Sequence, residues 1–175
     1  DTFGAMALAS LPPSQSVMKD KPRDRKAFIL TKPMMKDILG VGGFFFLLLV
    51  VFLYIFQHTE ITQMTDLLHC KFGEANGLSP YEQTLLFSIF VWTHLWYMFN
   101  TRSFETGKSF FQLKMSKEFF TIVAIIFIGQ IAIVEVLYDF FNCTPMKLID
   151  WVIIVVLSSL VLWARELWHL LTKRG

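Results

Sequence analysis

The sequence predicts an all-α fold, a polytopic bundle of membrane helices, and three observations carry that prediction. Of the 175 residues, 54% are apolar, 16% aromatic and only 17% charged, and the mean hydropathy is +0.52. A compact soluble domain of this length has too little interior to hide nineteen phenylalanines. Four separate stretches approach the ~20 residues that a helix rising ~1.5 Å per residue needs to cross hydrocarbon. The Lys and Arg residues, finally, are segregated into alternate connections between those stretches.

Residues 1–10, DTFGAMALAS, are small and apolar but too short to span, and they stop at Leu11-Pro12-Pro13, which cannot continue a helix. They read as the C-terminal half of a severed helix. The chain opens on Asp1 without an initiator methionine, and its first thirty residues hold no signal-peptide pattern, so a fragment or processed chain is expected. Segment 11–37 follows as a basic connection. Residues 38–56, ILGVGGFFFLLLVVFLYIF, then run 19 residues without a charge and form the strongest predicted span. Three further spans are predicted at 81–100, 119–138 and 151–171, each with a few polar groups, leaving 172–175 as a tail.

The orientation follows from the basic residues. Segment 11–37 holds seven (Lys19, Lys21, Arg23, Arg25, Lys26, Lys32 and Lys36), segment 101–117 four, and the end from Arg165 three. Segments 57–80 and 139–150 hold one each, Lys71 and Lys147. Fourteen against two predicts that both termini are cytoplasmic and that the bilayer is the principal partner. There is no internal repeat, and no connection is long enough for a soluble domain.

Composition also excludes some functions. A net charge of +2, with basic residues not interleaved with aromatics, argues against a nucleic-acid partner. The sequence has no phosphate-binding glycine loop, no His/Cys cluster at metal spacing and no nucleophile elbow, so the chain by itself is expected to catalyse nothing.

The informative residues are polar groups at membrane depth, where a central charge costs roughly 2.5 to 3.5 kcal/mol on insertion scales and usually faces a partner or an ion path. A helix ending near Ser10 at the cytoplasmic surface would put Asp1 ~13 Å inward, where a carboxylate needs a cation. The competing reading is an exposed terminal residue. Gly4 tolerates an unwound backbone. Gly40, Gly42 and Gly43 form a small-residue face suited to close helix packing. His94 reads either as an interhelical hydrogen-bonding residue or as an ion-path residue. Gln130 is the deeper polar group of the third span, whereas Glu135 lies three residues from its outer end and can snorkel. Arg165 and Glu166 fall in the last turns of the final span, where headgroups account for them. Cys70 and Cys143 both fall in outer loops, where a disulfide is permitted. Asn142-Cys143-Thr144 formally fits a glycosylation sequon, a short and common pattern.

Read together, DTFGAMALASLPP, KPRDRKAFILTKPMMKDILGVGG and FSIFVWTHLWYMFNTRSF resemble the C-terminal membrane portion of the P-type cation-transporting ATPases, the plasma-membrane-type calcium pumps above all. The resemblance covers essentially the whole chain. It implies that residues 1–10 end the sixth transmembrane helix and that the four spans are the seventh to tenth. It implies, too, that Asp1 is an ion-binding aspartate, with Gly4 in a partly unwound segment and Pro12-Pro13 at the helix exit. Calcium wants about six to eight oxygens, so the other ligands would come from upstream helices. Where two-ion pumps carry a glutamate on the eighth helix this sequence has Met98, which implies a single calcium site. Asn100-Thr101-Arg102 is similar to the Asn-Ala-Arg of the subgroup, while His94 departs from the glutamine expected there.

The same resemblance implies that ATP and magnesium act in upstream domains of the pump and that calcium is the transported substrate at the plasma membrane. It leaves an accessory subunit unknown. Two alternatives stand beside it: a free-standing four-helix membrane scaffold or accessory protein, and the same pump architecture specific for another cation, with Gln130 and Glu135 as the residues to watch.

Overall fold

The computed structural model describes residues 2–9, 28, 30–69, 71–103, 109–112 and 116–172. Among them every regular element is a helix and none is a strand. The order is α1 (Thr2–Ala9), α2 (Lys32–Gln57), a 3-10 turn (Met64–Leu68), α3 (Pro80–Arg102), a second 3-10 turn (Phe110–Gln112), α4 (Lys117–Glu135), α5 (Tyr138–Phe141), α6 (Leu148–Ser158) and α7 (Leu160–Thr172).

Local chemistry sets where the long helices begin. The Thr31 hydroxyl accepts from Met34 N at 3.3 Å and Pro33 sits in the first turn, so α2 starts six residues before its charge-free run. Ser79 and Glu82 form a reciprocal capping box at the start of α3. Ser79 Oγ accepts from Glu82 N at 3.2 Å, and Glu82 Oε2 accepts from Ser79 N at 2.7 Å. Ser116 caps α4 by accepting from Phe119 N at 3.1 Å.

Two helix ends differ from the expected limits. Helix α4 stops at Glu135, and the N–H groups of Val136 and Leu137 both return to Ala132 O before the chain turns into α5. That turn closes on Asn142 in the left-handed region (φ 53°), with Cys143 N donating to Tyr138 O at 2.9 Å. The final stretch is two helices rather than one. Ser158 Oγ donates to Val155 O at 3.1 Å and Ser159 Oγ to Val156 O at 2.7 Å, so hydroxyls compete with the backbone ladder where α6 gives way to α7.

The packing order runs opposite to that of a soluble protein. Helices α2 and α4 are long and apolar enough to cross a membrane, yet only 6% and 17% of their most apolar 18 residues are buried. The less apolar α3 occupies the centre, touching α1, α2, α4, α6 and α7. It buries Leu85, Trp92 and Phe99 together with Thr84, Ser88, Thr93 and Asn100. Phe119 of α4, Ile154 of α6 and Phe56 of α2 complete the core around it. A chain that exposes its most apolar surfaces and turns its polar groups inward takes lipid as its solvent. This is a membrane protein.

Candidate functional site

The polar residues of the interior fall into two groups, one at the end formed by the connections 57–80 and 139–150 and one along the helices. At the loop end, carboxylates close the bundle by accepting backbone N–H groups. Asp150 is fully buried at the start of α6. Its Oδ1 accepts from Met64 N at 3.0 Å and its Oδ2 from the Tyr81 hydroxyl at 2.8 Å. Glu82, besides capping its own helix, accepts from Ile61 N at 3.0 Å. Asp66 takes Thr62 N, Thr62 Oγ1 and Gln63 N, all within 3.0 Å. Those donors, Thr62 first, hold its carboxyl below the usual value of 3.8.

Glu135 belongs to this group. Its Oε1 accepts from Trp151 Nε1 at 2.7 Å and from Met146 N at 3.0 Å, tying the end of α4 to the start of α6. One carboxylate oxygen is thus engaged inward by α6 and the turn before it. Neither Glu82 nor Asp150 was singled out from sequence. Ser79-Pro80-Tyr81-Glu82 carries a readable capping-box pattern, whereas nothing near Asp150 announces a donor 86 residues away.

Along the helices, Gln130 is buried and its amide reaches Ser88 Oγ at 3.4 Å, a long hydrogen bond between α4 and α3. His94 hydrogen-bonds within its own helix. Its Nδ1 donates to Phe90 O at 2.8 Å, because a carbonyl can only accept. Its contact with α2 is aromatic, with the Phe45 ring centroid 5.1 Å away. Asn100 donates to Val161 O at 3.0 Å, bracing α7 against α3. Glu166 is buried and accepts from Ser109 at 2.6 Å, so the 101–117 connection rather than a headgroup engages it.

Asp1, Pro12, Pro13 and Cys70 lie outside the described residues. Cys143 is a half-buried free thiol. What is described of the first segment is a helix packed on α4 and α3. A Cβ placed on Gly4 would stand 3.5 Å from Met98 Sδ, so the buried Met98 thioether lies directly against that helix. Gly40, Gly42 and Gly43 are exposed, and nothing among the described residues comes within 4 Å of where their Cβ atoms would stand. No group of three or more His, Cys, Asp or Glu among the described residues is arranged to hold a metal ion.

The sequence also has relatives. It is 33% identical to the plasma membrane calcium-transporting ATPase 4 of Homo sapiens over 155 residues, which is 86% of this chain and 12% of that protein. It is 28% identical to the plasma membrane calcium-transporting ATPase 1 of Gallus gallus over 176 residues, covering 99% of this chain and 14% of the relative. A putative plasma membrane-type calcium-transporting ATPase 13 of Arabidopsis thaliana is 27% identical over 159 residues, 91% of the chain and 14% of that protein. The chain therefore spans a small part of the length of the curated relatives it matches. The family described as cation transporting ATPase, C-terminus, matches residues 1–171. Its helical, lipid-facing architecture and this match along nearly its entire length agree, and the chain belongs to the C-terminal family of the cation-transporting ATPases.

Proposed function

We propose that this chain is the C-terminal membrane region of an ATP-driven calcium pump of the plasma-membrane type, where it supplies part of the ion site and the anchor on which the moving parts turn. The observation that carries the reading is the family match from residue 1 to residue 171. In this reading Asp1 is a calcium ligand, and the remaining oxygens come from upstream helices. ATP and magnesium act in upstream cytoplasmic domains, which phosphorylate and drive the site from a distance.

Four spans near 38–56, 81–100, 119–138 and 151–171 follow the half-helix 1–10, with both termini and the segment 11–37 cytoplasmic. The fourteen-to-two division of Lys and Arg supports this topology. The anchoring role is supported by how the polar groups are used. Gln130 and Glu135 bond to neighbouring elements, and His94 bonds within its own helix while its ring meets α2, so none of the three presents an oxygen cage. The open glycine face at Gly40, Gly42 and Gly43 leaves room for the upstream fifth helix to approach α2 closely. Met98, pressed on α1, offers sulfur where an oxygen ligand would be needed, which supports one calcium per cycle rather than two.

The test is Asp1→Asn in the intact pump, assayed as calcium uptake into inside-out vesicles. Loss of uptake with normal expression and membrane insertion is the expected result. Undiminished uptake rejects the ligand role. Uptake that follows sodium or potassium rather than calcium rejects the choice of ion.

A further inference from the structure

Helix α4 is short for a membrane. Glu118 and Glu135 bound its uncharged run, which rises about 24 Å at ~1.5 Å per residue and so falls ~6 Å below the ~30 Å of hydrocarbon in a typical bilayer. The acids where α4 ends and α6 begins, Glu135 and Asp150, are both held by the protein's own donors. Trp151 Nε1 and Met146 N serve the first, Met64 N and the Tyr81 hydroxyl the second. A carboxylate at membrane depth needs such partners, whereas one in water does not.

Beyond those acids the chain stays apolar and exposed. Val136, Phe140 and Leu148 are 72%, 83% and 80% exposed, and Leu137, Phe141 and Ile149 are exposed as well. The backbone between them keeps its hydrogen bonds inside the protein. Val136 and Leu137 N–H donate to Ala132 O, Phe140 and Phe141 N–H to Leu137 O, and Cys143 N–H to Tyr138 O. Thr144 N–H donates to Thr84 Oγ1 at 2.8 Å, Met146 N–H to Glu135, and Pro145 has no N–H to place. A loop in water can leave such groups to the solvent, but non-helical backbone at the edge of hydrocarbon cannot.

Three surroundings compete for these side chains. Water is the poorest, since each Å² of apolar area left in it costs ~25 cal/mol. A protein partner would bury the centre of the patch, where interfaces are depleted of charge, yet Asp139 and Lys147 stand exposed in the same connection. Lipid accommodates both, with apolar side chains among acyl groups and charges at head-group level. The patch also continues the lipid-facing surface of α4, where Ile125 and Ile128 are exposed. We propose that the turn from Val136 to Phe141, together with Leu148 and Ile149, lies within the bilayer, among the acyl chains and glycerol groups of the nearer leaflet, and supplies the depth that α4 lacks. The proposal requires the chain to sit in a bilayer but not that Asp1 bind calcium, so the uptake assay above and the experiment below fail separately.

The experiment is electron paramagnetic resonance of nitroxides attached in turn at Phe140→Cys and Leu148→Cys, with Ile128→Cys as the lipid reference and Glu74→Cys as the water reference. The intact protein carries Cys70→Ala and Cys143→Ala and is reconstituted into dioleoyl phosphatidylcholine vesicles. Collisions with oxygen, which concentrates in hydrocarbon, are compared with collisions with a neutral nickel chelate, which stays in water. The oxygen-to-nickel ratio at positions 140 and 148 should exceed that at Glu74→Cys severalfold and approach that at Ile128→Cys. A ratio equal to that at Glu74→Cys, or protection from both reagents, would overturn the proposal. In the chain with its cysteines intact, a p-benzoylphenylalanine at position 140 gives a second readout that does not depend on the alanine background. Irradiation should attach phospholipid; attachment to another polypeptide, or no attachment to lipid, would overturn the proposal.

Discussion

Replacing Asp150 by Ala removes the acceptor shared by Met64 N and the Tyr81 hydroxyl and leaves both donors facing the space the carboxylate filled. A hydrogen bond to a charged group contributes about 1.5–3 kcal/mol, and a buried donor left alone costs its desolvation. Tyr81 is only partly buried and can turn toward water, so the loss falls at about 3–5 kcal/mol rather than at the sum of two full bonds. At about 2–4 °C per kcal/mol for a chain of this size, the melting transition should drop on the order of 10 °C. Asp150→Asn keeps an acceptor for Met64 N and a donor for the tyrosine oxygen, and should cost about 1–2 kcal/mol. The assay is unfolding in mixed micelles followed by tryptophan fluorescence, since Trp92 and Trp151 sit beside each other in the core with centroids 6.4 Å apart. Tyr81→Phe completes a double-mutant cycle, whose coupling to Asp150→Ala should reach about 1–2 kcal/mol. Strict additivity of the two, or a cost of Asp150→Ala under about 1 kcal/mol, would refute the clasp.

Other expectations concern the glycines, the buried amide and acid. Gly40→Ala and Gly43→Ala meet no neighbour among the described residues and should stabilise α2 by about 0.5–1 kcal/mol in the isolated region. In the intact pump the same changes should lower calcium-dependent ATPase activity if an upstream helix packs there, and unchanged activity would reject that contact. Gln130→Leu should cost about 1 kcal/mol in the same unfolding assay, because its bond to Ser88 is long and the serine can turn to its own helix backbone. A loss above about 3 kcal/mol would mean that the amide has a larger role than this bond. Asp66 titrates below its ordinary 3.8, so its contribution to the Met64–Leu68 turn is present above that value and is lost as pH falls through the lower folded one. Hydrogen exchange of residues 62–68, corrected for intrinsic rates, should stay flat down to about pH 4 and rise below it, and Asp66→Ala should remove the dependence.

The helical class was legible because lipid imposes a simple arithmetic on composition, and charge-free stretches mark helices without knowledge of their partners. The start of α3 was legible for a different reason: a capping box is written within four residues. The break at Ser158 and Ser159 was not. Serine pairs occur in unbroken helices too, and here the surrounding contacts decide that their hydroxyls win over the ladder. The polar groups divide along the same line. His94 bonds to a carbonyl one turn away, yet which of its two roles it plays depends on the Phe45 ring of another helix. Glu135 looked free to reach solvent, because its partners Met146 and Trp151 are fixed by a turn that follows it. Sequence marked these polar groups well and found their direction poorly.

The discontinuity between α6 and α7 has a mechanical meaning. On one side of it, Asp150 moors α6 to the Met64 turn and to Tyr81. On the other, α7 is fastened to the 101–117 connection through Glu166 and Ser109 and through the Trp163 and Phe111 rings, 6.0 Å apart. A rigid rod would carry every tug on that connection to the opposite end of the bundle. A rod jointed at two serines passes less of it along its own length, and leaves the unbroken α3, packed on both halves, to carry the rest.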